Sequence, residues 1–151
     1  MQVFESRFRV AASLEAVSAF HFQTGVLKKL TPPLMIMLVH RFDPLAEGSI
    51  GEFTMWMGPI PVRWRARHEC VSRESFVDVQ DAGPMKSWRH THRFVRLDDG
   101  QTEVHDRIEY EHHSGWRGIW SRVLFPKIAL RALFFWRGIA TRRGVRQMQS
   151  I

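Results

Sequence analysis

His90 and His92 stand two residues apart in Trp88-Arg89-His90-Thr91-His92-Arg93-Phe94, a spacing that places both imidazoles on one face of an extended strand. An imidazole beside a carboxylate is a proton-transfer pair, because the carboxylate fixes its tautomer and raises its pKa. Asp106, in a second extended segment, is the carboxylate read as their partner, so His90, His92 and Asp106 are the catalytic candidates. Two histidines on one face also suggest a metal, but no third ligand is assigned and no metal or cofactor is expected. The single cysteine, Cys70, excludes an internal disulfide and reads as a small buried hydrophobe. His112-His113 point to opposite faces if extended and read as the exit from a strand.

The elements that must position these groups follow from period-two patterning. Residues 3 to 10 form a strand, and Ser13 caps a short helix through Leu14, Val17 and Phe20. Thr24 is expected to cap a second short helix, ended by Pro32-Pro33. Strands follow at about 34 to 42, 50 to 57, 61 to 71, 75 to 81, 85 to 96 and 101 to 111, with turn-forming separators such as Asp98-Asp99-Gly100. The arginines set the register, since a charged row marks the solvated face. Arg63, Arg65 and Arg67 outward turn Val62, Trp64, Ala66, His68 and Cys70 inward, and Arg89 and Arg93 outward turn Trp88, His90, His92 and Phe94 inward. By the same rule Asp106 and Tyr110 face the interior, and Phe76 inside brings Asp78 and Gln80 with it.

The proposed ligand-facing set is therefore Trp64, His68, Asp78, Gln80, Trp88, His90, His92, Phe94, Asp106 and Tyr110. Burying such groups without partners costs several kcal/mol, so they must bond one another, hold water or meet a ligand. A structural network, a recognition site and a catalytic pair all remain open.

The segment from Gly115 to about Gln149 reads as helix, broken or kinked near Phe125 by Pro126. Ile128, Ala129, Ala132, Leu133, Phe135, Trp136, Ile139 and Ala140 share an arc of about 160° and are expected to pack on the sheet. Leu130, Phe134, Arg137 and Thr141 then lie on the opposite face. This element order, with Phe76-Val77-Asp78-Val79-Gln80, Gly83-Pro84, the Trp-x-His-x-His strand and Asp106-Arg107-Ile108-Glu109-Tyr110, resembles the SRPBCC superfamily of START-like and pollen-allergen-like proteins. Within it the chain is most similar to an uncharacterised bacterial ligand-binding group with a Gly-Pro turn before that strand. The resemblance implies an α+β helix-grip fold, a curved antiparallel sheet of about seven strands around a long C-terminal helix with two short helices after the first strand. It also implies an internal cavity for a lipid, polyketide, quinone or similar molecule. Carriers and cyclase-type enzymes both occur there, and fold does not choose between them.

Composition sets the outer bounds. A chain of 151 residues that is 44% hydrophobic suits one domain with a sizeable core. No apolar stretch reaches the roughly 18 residues of a membrane span, and the N-terminus lacks a signal-peptide pattern, so a cytoplasmic protein is expected. The net charge of +7 is concentrated in the strand arginines and the last quarter. The basic C-terminal helix suggests transient contact with an anionic membrane, or simply a solvated surface. No recognised nucleic-acid motif accompanies the charge, and oligomeric state is not legible. The expected function is binding or carriage of a small hydrophobic molecule; the alternative is a cyclase or dehydratase using a His/Asp pair.

Overall fold

The computed structural model describes residues 1–150. Strand β1 (Gln2–Val10) leads into helices α1 (Leu14–His21) and α2 (Val26–Leu30), followed by β2 (Ile36–Phe42), β3 (Ile50–Met57), β4 (Ile60–Glu69), β5 (Ser75–Ala82), β6 (Ser87–Arg96) and β7 (Thr102–Glu111). Helices α3 (Gly115–Leu124) and α4 (Lys127–Gln149) complete the chain. All seven strands form one antiparallel sheet in the order β1-β7-β6-β5-β4-β3-β2. The short helices thus carry the chain from one sheet edge to the other. This is the expected helix-grip arrangement.

Local chemistry accounts for most boundaries. The Ser13 side chain accepts from the Ala16 amide at 3.3 Å and starts α1. Thr24 does not cap α2: the helix begins after Gly25 with no side-chain cap. Strand β4 stops at Glu69, two residues early, because Cys70 adopts a left-handed φ of 53°. That turn leaves Cys70 exposed, not buried as expected. Residue Pro126 separates α3 from α4.

The face of α4 differs most from expectation. Leu130, Phe134, Gly138, Ala140, Thr141 and Val145 are buried, while Ile128 and Phe135 are exposed. The helix is rotated so that the row read as solvent-facing lies against the sheet, while of the expected arc Ala140 is buried and Leu133 and Trp136 pack at the edges of the core. Close packing explains the choice. A Cβ at Gly144 would run into the Phe20 ring of α1, so only the glycine row lets α4 sit this close. Two apolar clusters result, one around Val17, Phe20, Phe94 and Val145, the other around Trp64, Ile108, Tyr110 and Phe134.

Candidate functional site

Strand register brings the polar residues together. Asp78 on β5 pairs with His90 on β6, and His92 on β6 pairs with Asp106 on β7, so three adjacent strands present alternating acids and imidazoles. His90 Nε2 lies 2.9 Å from Asp106 Oδ1, and the same oxygen lies 2.9 Å from His92 Nδ1. His92 Nε2 lies 3.1 Å from Asp78 Oδ2. His68 Nε2, on β4, stands 3.2 Å from Asp78 Oδ1, and its Nδ1 faces the Ser49 hydroxyl at 2.9 Å. A continuous row of five side chains, His90–Asp106–His92–Asp78–His68, crosses four strands.

The two central histidines have opposite charge states. His92 has a carboxylate at each ring nitrogen, and only an imidazolium can donate at both positions. Burial opposes its charge, but the hydrogen bonds to Asp106 and Asp78 win and raise its pKa to about 9. His90 is lowered to about 4, first by burial and then by the neighbouring His92 charge, against the pull of Asp106. It therefore stays neutral, donating through Nε2. The carboxyl of Asp78 falls to about 2 and that of Asp106 well below its usual range; burial opposes both shifts, and the histidine hydrogen bonds outweigh it. Aromatic packing fixes the rings: Phe76 stacks on His92 at 4.2 Å, and Phe134 from α4 meets His90 edge-on at 5.4 Å.

This row forms the polar end of a cavity of about 160 Å³ between the sheet and α4. Its walls are otherwise apolar, with Phe42, Met55, Trp64, Phe76, Leu130 and Phe134 among them. Of the residues read from the sequence, Trp64, His68, Asp78, Trp88, His90 and His92 line it. Asp106 stands behind the two histidines as their shared acceptor, and Phe94 and Tyr110 belong to the flanking apolar clusters. The Gln80 side chain does not line the cavity; it clamps the β5–β6 turn, donating to the Met85 carbonyl at 2.9 Å and accepting from the Met85 amide at 3.3 Å.

Arg137 and His21 complete the lining, and sequence reasoning missed both. Arg137 comes from the face of α4 read as solvent-facing, and its buried Nε has no hydrogen-bond partner. Asp78 Oδ1 has His68 Nε2 at 3.2 Å, but off the hydrogen-bond direction, so this buried oxygen keeps room for a donor. Burial lowers the Arg137 pKa while the Asp106 and Asp78 charges oppose that shift. His21, held by the Val17 carbonyl at 2.8 Å, is lowered to about 4, chiefly by burial. The signal for Arg137 was its place in a row with Leu130, Phe134 and Thr141, one cation among apolar and small residues.

Donor atoms of Asp78, His90 and His92 lie within 4.8 Å of one another, close enough to converge on a cation. Both His92 nitrogens already face carboxylates, and Arg137 adds a positive charge at the same end of the cavity. A metal would have to displace the proton, so this donor set fits a proton better.

Solved structures with the same architecture include a protein from Chromobacterium violaceum, with a TM-score of 0.75 and 12% identity over 95% of this chain and 96% of that one. A Thalictrum flavum norcoclaurine synthase point mutant in complex with a transition-state analogue gives 0.70 and 16% over 98% and 96%. The shared architecture is the helix-grip fold. Zhui aromatase/cyclase from Streptomyces sp. R1128 follows with 0.66 and 15% over 95% and 90%. No family model matches the chain, and no curated protein matches it. At these identities the likeness is one of fold.

Proposed function

We propose that this protein binds a small molecule with an apolar body and one oxygen-bearing end. The observation that carries this reading is the unpartnered buried Arg137 Nε, at the polar end of an apolar cavity where Asp78 Oδ1 has only the off-axis His68 ring nearby. A folded chain rarely leaves such atoms unsatisfied without a role for them. A hydroxyl or enol oxygen accepts from one and donates to the other, while the body of the ligand rests among Phe42, Met55, Trp64 and Phe134. The volume of about 160 Å³ limits the body to roughly one ring, since a cavity of about 150 Å³ holds a benzene. A long acyl chain or a polycyclic body exceeds that volume.

The test is a thermal-shift and calorimetric panel of single-ring phenols and cyclic hydroxyketones beside palmitate. Ring compounds should raise Tm through mass action, and Arg137→Met should weaken them at least tenfold. Binding of palmitate alone, or an unchanged affinity in Arg137→Met, would contradict the reading.

A second reading rests on the contrast between neutral His90 and charged His92, which share one carboxylate oxygen. That contrast suits an enzyme that removes a proton through His90 and stabilises the oxyanion through His92 and Arg137, as in ring closure or dehydration. Two neighbours in fold are named as a synthase and an aromatase/cyclase, which supports it. His90→Gln should then abolish turnover of a bound hydroxyketone while leaving its affinity within about threefold, corresponding to less than 1 kcal/mol.

A further inference from the structure

Helix α3 turns its large apolar residues away from the protein. Trp116, Ile119, Trp120 and Val123 are 71%, 62%, 54% and 63% exposed. At 100° per residue they fall within an arc of about 100°, with Arg117 and Arg122 exposed on either side. The face that meets the protein is made of small residues. A Cβ at Gly118 would collide with the His113 carbonyl, and Ser121 accepts from His112 Nδ1 at 2.8 Å while donating to the Gly118 carbonyl at 3.1 Å. These contacts fix the outward direction of the ridge, and Pro126 prevents α3 from continuing into α4.

Charge complementarity identifies what covers the ridge. From His112 to the C-terminus the sequence holds eight basic side chains and no acidic one, more than the whole net charge of +7. A ridge of two tryptophans, an isoleucine and a valine flanked by arginines suits the boundary between lipid headgroups and acyl chains. There the indoles bury their rings while keeping the N–H near water, and anionic headgroups meet the arginines. Among the described residues, no helix is long and apolar enough to cross a membrane. At 10 residues α3 is too short to span a bilayer, so contact through it is peripheral.

We propose that α3 docks this protein on the surface of an anionic bilayer, lying in the interface plane with Trp116, Ile119, Trp120 and Val123 inserted. The basic end of α4, the expected contact from sequence, plays a supporting electrostatic part. Trp116 and Trp120 also border an open groove of about 910 Å³ against β3 and β4. Phe53, Trp64 and Leu124 belong to the walls of both that groove and the inner cavity. Docking places the groove beside the lipid, one layer of side chains from the polar cluster. The proposal does not depend on ligand binding in that cavity.

The experiment is flotation of the full chain with vesicles of phosphatidylcholine alone and of phosphatidylcholine with 30% phosphatidylglycerol, at 0.1 M and 0.5 M salt. Binding is expected only to the anionic vesicles and at least tenfold weaker at the higher salt. Trp116→Ser with Trp120→Ser should reduce it at least tenfold with an unchanged circular dichroism spectrum, because both side chains are exposed. Arg142→Gln with Arg143→Gln and Arg146→Gln should reduce it less than the tryptophan pair. No binding to anionic vesicles would overturn the proposal, as would full binding by the tryptophan variant with loss in the α4 variant. A dimer in solution that the tryptophan changes dissociate, with no vesicle binding, would assign the ridge to a second copy of the chain instead.

Discussion

Placing His92 between two carboxylates predicts a stability profile that falls on both sides of pH 6.5. Folded, His92 keeps its proton to about pH 9; unfolded, it loses it near 6.5. The native state binds the extra proton between those values, so the contribution is complete below pH 6.5 and is lost as pH rises to about 9. That gap corresponds to about 3 kcal/mol, a large share of the roughly 5–15 kcal/mol that holds a domain folded. His90 and His21 act in the opposite sense. Both are lowered to about 4, so their contribution is present above pH 6.5 and lost as pH falls through about 4. The lowered Asp78 and Asp106 extend the acid loss further. Asp106→Asn replaces the carboxylate shared by two histidines with a neutral amide. It should cost about 3–5 kcal/mol at pH 6.5, the effect of stripping one partner from a buried ion pair. It should also flatten the alkaline limb, because burial then opposes a charge that only Asp78 supports. Urea unfolding from pH 4.5 to 9.5 measures both effects, and long-range ¹H–¹⁵N spectra report the His92 ring directly. A wild-type stability that is constant or rises from pH 6.5 to 9, or a neutral His92 ring at pH 8, would refute the reasoning.

Three further outcomes test the packing and the site. Phe134→Ala should destabilise the fold by about 3–5 kcal/mol, while Phe135→Ala, one residue on and 74% exposed, should change it by less than about 0.5 kcal/mol. Equal effects in chemical denaturation would mean that α4 sits on its other face. Gly144→Ala should cost about 1–3 kcal/mol through its collision with Phe20, read as a lowered urea midpoint at constant m-value. Phe20→Leu should recover part of that loss by making room.

The site was legible in the sequence wherever charge and period-two alternation spoke together. Arg89 and Arg93 outward oblige His90 and His92 to face in, and Glu103, Arg107 and Glu109 do the same for Asp106. Alternation gives a face but not a cross-strand partner. That Asp106 bonds both histidines, and that Asp78 bonds His92, depends on the β5–β6 and β6–β7 register, which two hairpins fix in three dimensions. Gln80 was placed on the cavity because nothing in its strand reveals that Gly83 and Met85 fold back onto its amide. Reading α4 by hydrophobicity alone found Ala140, Leu133 and Trp136 but centred the buried face too far round the helix, for a physical reason. The inward row is built of Gly138, Thr141 and Gly144 for closeness and Arg137 for chemistry, whereas Phe135 and Ile128 remain in solvent.

The inward Arg137 also decides what kind of oxygen the cavity should prefer. Asp78 and Asp106 bring two negative charges to its polar end, and His92 and Arg137 bring two positive ones. The four cancel. A ligand that arrives as a carboxylate would leave one uncompensated charge in a dry site, at a cost of several kcal/mol unless it acquires a proton. A neutral hydroxyl has no such penalty, accepts from Arg137 Nε and donates to Asp78 Oδ1. Phenol should therefore bind at pH 7.5 at least tenfold more tightly than benzoate, a molecule of similar ring size. Asp78→Asn, which leaves a positive excess, should narrow or invert that ratio. Isothermal titration of both probes against both proteins measures the effect, and a preference for benzoate in the unmodified chain would mean that the His–Asp row is not electrically balanced in the way its geometry requires.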